Sequence, residues 1–251
     1  MKIVVPLLAI LFGGLLWQAK AAELSVEAFA SVPTYSMPRL SPDGSKLSFV
    51  QTLSSAGQQY VFIRLYDLTN GEKKVLVKAN IEETNVDDVI WANNEQLLVE
   101  ASYATRRFDV PVIETRLMVV DVNSGKNYSA IDAKLARKFQ HMPQFQSEIV
   151  SMLPEDDEHF LLQLDGLTQG FGVSLVKINI KNGKHEVLAY DKENLRHWVV
   201  DHQRNPRLAI FIKDDVVEIY EQKPSTNDLR KLWQFAALSE QEVWPLGFDV
   251  Q

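Results

Sequence analysis

The chain of 251 residues is 46% hydrophobic and 24% charged, an ordinary globular composition that excludes intrinsic disorder and suffices to bury a full core. Its formal net charge of -7 argues against a nucleic-acid partner, because phosphate binding needs a basic footprint and no run of Lys or Arg supplies one. The absence of Cys excludes disulfides, thiolate-bound zinc and a lipid carried on an N-terminal Cys.

The first element is a leader. Met1-Lys2 gives a short basic start, and Ile3 to Trp17 runs without a charge. Ala19-Lys20-Ala21 then places small residues at the spacing a signal peptidase reads, so residues 1–21 are expected to be a helical secretory signal peptide and Ala22 the mature N-terminus. The apolar run falls short of the ~18–20 residues of a spanning helix, so no membrane span is expected after cleavage. The rival is an uncleaved N-terminal anchor. On the leader alone, the protein is expected to be periplasmic or secreted.

Residues 22–251 carry a long-period repeat. One half is a polar turn feeding a short apolar strand: Ser41–Lys46 into Leu47–Val50, Asn93–Gln96 into Leu97–Val99, Glu155–His159 into Phe160–Leu162, and Gln203–Arg207 into Leu208–Phe211. The other half is a hairpin. Val61–Asp67 turns through Asn70-Gly71, Thr115–Asp121 through Ser124-Gly125, and Ser174–Ile180 through Asn182-Gly183. Asn-Gly between β-branched runs signals a two-residue turn in which both residues take positive φ. A fourth copy, Val216–Tyr220 returning as Leu229–Trp233, has a longer loop without Gly.

The turn glycines at 71, 125 and 183 are 54 and 58 residues apart, somewhat above the ~40–50 residues of compact propeller blades. Each unit holds about four strand candidates, as a four-stranded blade does. Ile131 to Phe139 reads as one short helix between blades, and Val243 to Gln251 as the opening of a fifth unit. The fold expected is all-β: an incomplete β-propeller of about four blades plus the start of a fifth. A two-sheet sandwich is the rival, but its strands recur every ~8–12 residues without a longer period.

The segment Tyr35-Ser36-Met37-Pro38-Arg39-Leu40-Ser41-Pro42-Asp43-Gly44-Ser45-Lys46-Leu47-Ser48-Phe49 resembles the first blade of prolyl oligopeptidase-type serine peptidases, among them dipeptidyl and acylaminoacyl peptidases. The Ser-Pro-Asp-Gly motif also occurs in TolB-like propellers. The resemblance implies a propeller that gates peptide substrates for a C-terminal α/β-hydrolase domain. That domain has no counterpart in these residues, so no catalytic residue carries over. The expected role is the non-catalytic, substrate-gating part of an exported peptidase. The alternative is a TolB-like periplasmic binding or scaffolding propeller. Open sheet edges are expected to favour self-association.

None of the common catalytic or cofactor-binding motifs is complete in the sequence. Gly172-Val173-Ser174-Leu175-Val176 has Val where a nucleophile elbow needs its second Gly, and reads as a strand entry. Gly170-Phe171-Gly172 lacks the third Gly of a dinucleotide loop, and no phosphate-binding loop exists, so no cofactor is expected. His197 and His202 flank a strand, and Glu155-Asp156-Asp157-Glu158 lacks the alternation of a calcium loop, so no metal is expected. Asp87-Asp88 and Asp214-Asp215 read as turns beside strands. Trp91, Trp198, Trp233 and Trp244 read as fillers between blades. Only Arg106 and Arg107 stand out. They lie in the segment Tyr103 to Pro111, read as a loop that interrupts the repeat, and are the candidate substrate-binding residues.

Overall fold

The computed structural model of the chain describes residues 33–248 apart from 154, 224, 225 and 227, and the expected signal peptide lies outside the described residues. The described strands form four antiparallel sheets of four, each a meander in chain order. Blade 1 comprises β1 (Tyr35–Leu40), β2 (Lys46–Ser55), β3 (Gln58–Asp67) and β4 (Lys73–Asn80). Blade 2 comprises β5 (Asn85–Trp91), β6 (Gln96–Arg107), β7 (Val110–Asp121) and β8 (Asn127–Ser129). The helix α1 (Ala133–Ala136) follows, shorter than the segment read from sequence, with Asp132 accepting from the Leu135 N–H at its N-cap. Blade 3 comprises β9 (Ile149–Ser151), β10 (His159–Leu164), β11 (Ser174–Asn179) and β12 (His185–Ala189). Blade 4 comprises β13 (Leu195–Val200), β14 (Pro206–Lys213), β15 (Val216–Gln222) and β16 (Leu229–Ala236).

Successive side chains of a strand point to opposite faces, and here both faces are used. Leu97 packs with Val50, Ile63 and Leu65 of blade 1, whereas its neighbour Leu98 packs with Phe160, Leu162 and Ile178 of blade 3. Likewise Leu162 faces blade 2 while Leu161 meets Leu195, Trp198 and Ala209 of blade 4. These adjacent apolar pairs make each middle sheet a wall between two cores. Full burial of each such side chain stabilises the fold by about 1.5–3 kcal/mol. A fourth cluster, Leu208, Ile210, Val217, Ile219 and Phe235, lies on the far face of blade 4. Among the described residues no buried cluster joins blade 4 to blade 1. Cores in series between consecutive meanders make this an open, incomplete β-propeller; a sandwich would have one core between two sheets.

The hairpin turns differ from expectation. At the expected Asn-Gly and Ser-Gly turns only the glycines have positive φ, 77° at Gly71, 70° at Gly125 and 67° at Gly183. The loops are wider, closed by the N–H of each Gly on the carbonyl of Asp67, Asp121 or Asn179 at 2.8–2.9 Å. The side chains of those three residues accept further turn N–H groups, from Thr69, Ser124 and Lys181. The two-residue turns with both φ positive lie at the other end of the blades: Ala56-Gly57, Phe108-Asp109 and Asp214-Asp215.

Three further readings are corrected. Asp87 and Asp88 lie within β5, where Asp88 pairs with Arg39 of β1 at 2.8 Å, so they join strands instead of turning the chain. Trp91 and Trp198 are buried, but Trp233 and Trp244 are each 44% exposed. The residues Val243 to Phe248 form no strand, and the last three residues of the expected fifth unit lie outside the described residues.

Candidate functional site

Arg106 and Arg107 do not lie in a loop. They end β6, in register with Pro111 and Val110 of β7, and the hairpin tip is the two-residue turn Phe108-Asp109 with φ of 49° and 63°. Pro111 is accommodated because β8 pairs only with Met118 to Val120, which leaves this end of β7 an edge. The alternation was illegible because the hairpin projects past the blade cores, so neither of its faces is uniformly apolar. Arg106 Nη2 donates to the Asp109 carbonyl at 2.8 Å. Arg107 donates through Nε to Glu114 at 2.6 Å, through Nη1 to the Met142 carbonyl at 2.9 Å and through Nη2 to the Pro143 carbonyl at 3.2 Å.

Glu114 is the centre of that arrangement. It is buried, and besides Arg107 it accepts from Arg116 Nη2 at 2.5 Å and the Tyr103 hydroxyl at 3.0 Å. Burial pushes its carboxyl up, but the hydrogen bonds from Arg107, Tyr103 and Arg116 outweigh burial and hold it below the usual carboxylate range. The network ties the hairpin to the connection between blades 2 and 3. Gln144 Nε2 adds a bond to the Ile113 carbonyl at 2.9 Å.

The polar groups converge elsewhere. The first strands of successive blades lie side by side, and between β9 and β13 opens a cavity of about 790 Å³ lined by Glu100, Glu148, Gln163, His197, Asp201 and Arg204 among others. A second cavity of about 610 Å³ shares Glu148, Gln163 and His197 and adds Phe145, Phe171 and Arg196. Gln163 organises both. Its amide N–H group donates to the Glu148 carboxylate and lies 3.2 Å from His197 Nδ1, while its oxygen accepts the Trp198 N–H at 3.2 Å. The Arg196 carbonyl lies 3.3 Å from the same amide nitrogen, so it competes with His197 for the second amide hydrogen. Gln163 is the one polar residue in the apolar run Phe160 to Leu164, and that interruption was the legible signal. Glu100 and Glu148 had none.

Burial first, then the negative charges of Asp88 and Asp87, push the Glu100 carboxyl above its ordinary range, with Arg39 opposing them. The cavity therefore combines carboxylates with an imidazole, which suits holding a polar ligand. Ser147 and Ser151 also line it, but among the described residues neither hydroxyl is bonded to His197 or His202, so no nucleophile and base are paired. Among the described residues no three His, Asp or Glu side chains converge to hold a metal. Asp156 of the acidic turn is occupied otherwise: burial works against its charge, but bonds from His159 and Lys177 hold its carboxyl at about 2.

The surface at this end of the blades is apolar. Phe108, Val110, Ile113, Met142, Phe145 and Phe171 are all about half exposed or more, and Phe108 is fully exposed at the hairpin tip. The Arg107 and Gln144 bonds tie the segments of Met142 and Ile113 to their neighbours, and the His141 ring meets Phe171 at 5.5 Å.

Fold and cavity define an open β-propeller with a polar cavity along its inner strands. No protein-family model matches the sequence, and no curated protein matches it. Among solved structures the chain is similar to TolB from Acinetobacter baumannii, at 13% identity and a TM-score of 0.39, over 79% of this chain and 43% of that one. It is similar to the acylaminoacyl peptidase of Pyrococcus horikoshii at 15% identity and a TM-score of 0.43, over 80% and 39%. It is also similar to the β-propeller domain of the Trilobed protease from Pyrococcus furiosus, at 16% identity and a TM-score of 0.41, over 82% and 69%. The structural neighbours are thus TolB and the propellers of prolyl oligopeptidase-like peptidases, and the chain spans less than half the length of the first two. Among the described residues no helix is long and apolar enough to cross a membrane.

Proposed function

We propose that this chain is the substrate-gating, non-catalytic propeller portion of an exported prolyl oligopeptidase-like serine peptidase. The observation that carries the reading is the apolar rim Phe108, Val110, Ile113, Met142, Phe145 and Phe171, set on one end of the blades beside the polar cavities. Large apolar side chains left exposed together at one end of a fold favour docking of another protein surface. On this reading the rim seats a hydrolase domain, the cavities admit peptide, and Arg106 at the hairpin tip meets a peptide carboxylate by its planar fork.

The test is to isolate the native protein with antibodies against this chain and treat it with a fluorophosphonate, which labels activated serines. The expected result is a labelled polypeptide heavier than the 28.5 kDa of this chain that cleaves short peptides. An unlabelled, inactive polypeptide of this chain's own mass would refute the peptidase reading and favour the TolB-like binding module.

A further inference from the structure

The cavity of about 790 Å³ between β9 and β13 holds acceptors that the fold itself leaves unused. Glu100 lines it from β6, and among the described residues its carboxylate has neither a hydrogen bond nor an ion pair. Glu148, from the stretch before β9, gives Oε2 to the Gln163 amide and keeps Oε1 free among the described residues. Ser147 lines the same cavity and is only 8% exposed, yet its hydroxyl has no partner among the described residues. A polar side chain this buried ordinarily has one. That hydroxyl is not sealed from solvent either, so it opens into the cavity.

The surrounding charges are mostly engaged. Burial, then the charges of Asp88 and Asp87 and that of Glu148, disfavour the ionised form of Glu100, while Arg39, which opposes them, is held by Asp88 at 2.8 Å. Asp201 pairs with Arg207 at 3.4 Å, His197 lies against the Gln163 amide, His202 meets the Phe248 carbonyl, and Arg204 lies in the turn after β13. The adjoining cavity of about 610 Å³ shares Glu148 and adds an apolar wall of Phe145, Phe171, Val173 and Ile212. Its other charged groups are occupied: Arg196 donates to the Phe171 carbonyl at 2.7 Å, and Asp165 lies 3.2 Å from His141. Glu148 therefore stands where an apolar wall meets a set of free acceptors.

We propose that the two cavities together bind a lysine side chain of a peptide, its methylene stem along the apolar wall and its ammonium among Glu148, Glu100 and the Ser147 hydroxyl. An ammonium carries three N–H donors and no acceptor, which matches three acceptors and no donor demand from the carboxylates. The stem needs apolar surface beside the charge, and a peptide's N-terminal ammonium has no such stem. This assignment rests on the reading that the cavities admit peptide and names the side chain they select. It requires no hydrolase domain, so it can fail or hold separately from the peptidase role.

Titration calorimetry on the full protein tests it, after fluorophosphonate treatment so that turnover cannot mask binding. Three peptides serve as probes: acetyl-Ala-Lys-Ala-amide, the same peptide with its lysine Nε-acetylated, and Ala-Ala-Ala-amide with a free N-terminus. The lysine peptide is expected to bind about ten- to a hundredfold more tightly than either of the others. Glu100→Gln and Glu148→Gln are each expected to weaken the lysine peptide by about that factor and to leave the acetyl-lysine peptide unchanged. Glu100 titrates above its ordinary range, so its ionised form works against folding at pH 7. Glu100→Gln is therefore expected to raise the Tm of the unliganded protein while lowering its affinity, which a merely structural carboxylate would not do. No binding of the lysine peptide, equal affinity for its acetylated form, a preference for the free N-terminus, or indifference to both Gln variants would each overturn the proposal. Fluorophosphonate labelling reports on the peptidase role independently of all these outcomes.

Discussion

Glu114 makes a quantitative case because one buried carboxylate serves two guanidinium groups and a hydroxyl. Glu114→Gln keeps the shape but removes the charge, and the amide offers one acceptor oxygen where the carboxylate offered two. Arg107 and Arg116 take different oxygens, Oε1 at 2.6 Å and Oε2 at 2.5 Å, so one guanidinium faces an NH₂ group after the change. Both Arg side chains are less than a third exposed, so solvent recovers only part of the loss. Losing one charge-assisted bond and weakening the other comes to about 2–3 kcal/mol. For a chain of this size that corresponds to a fall in Tm of roughly 4–12 °C. The pH dependence has a definite sign. Glu114 titrates below its ordinary 4.5 in the folded chain, so its contribution is complete above the unfolded value and is lost as pH falls through the folded one. Thermal unfolding followed by circular dichroism at pH 7 and at successively lower pH is the assay. The gap between wild type and Glu114→Gln is expected to be widest at pH 7 and to narrow on acidification. Equal Tm values at pH 7, or a gap that stays constant through acid, would refute the argument.

Two further outcomes follow from the same geometry. Gly125 and Gly183 occupy equivalent αL positions, but a Cβ on Gly125 meets nothing within 4 Å, whereas one on Gly183 lies 2.7 Å from Asp132 Cβ. Chemical denaturation should therefore show Gly125→Ala costing about 1 kcal/mol and Gly183→Ala at least about 2 kcal/mol, and equal costs would show that the Asp132 contact relaxes freely. Trp91 and Trp198 each donate an indole N–H across a blade boundary, to the Arg39 carbonyl at 3.0 Å and the Val173 carbonyl at 2.9 Å. Phe at either position should lower stability by about 1–3 kcal/mol in urea unfolding, and an unchanged midpoint would mean that water replaces the bond.

The repeat was legible because blades are local objects. Each sheet pairs strands adjacent in sequence, so a period of 54 to 58 residues between turn glycines carries the architecture directly. The adjacent buried pairs Leu97-Leu98 and Leu161-Leu162 also state, in two letters each, that a sheet has a core on both faces. What was misread is equally local. Asn70-Gly71 resembles a tight turn, but the Asp67 side chain captures the Thr69 and Asn70 N–H groups and stabilises a wider loop. Of the tight turns named above, Ala56-Gly57 has a Gly, but Phe108-Asp109 and Asp214-Asp215 have none. A turn's type is set by the twist of the strands it joins, and propensity yields where the ladder on both sides is long.

The site was less legible for a reason inherent in propellers. A cavity along the inner strands draws single residues from many units: Glu100 from β6, Glu148 from the stretch before β9, Gln163 from β10 and His197 from β13. No two of these are close enough in sequence to make a motif, and each alone looks like an ordinary polar residue. Arg106 and Arg107 read as a polar pair in a loop that interrupts the repeat, yet on a strand adjacent residues point to opposite faces, and the structure gives them different partners. Gln163 is the instructive contrast. It sits amid Phe160, Leu161, Leu162 and Leu164, where a buried amide must satisfy its hydrogen bonds or destabilise the core. Its polar neighbours Glu148, the Arg196 carbonyl, His197 and the Trp198 N–H are the answer to that requirement. In a blade-built fold, the polar residue that interrupts an apolar strand is therefore a better pointer to the site than a conspicuous pair of surface charges.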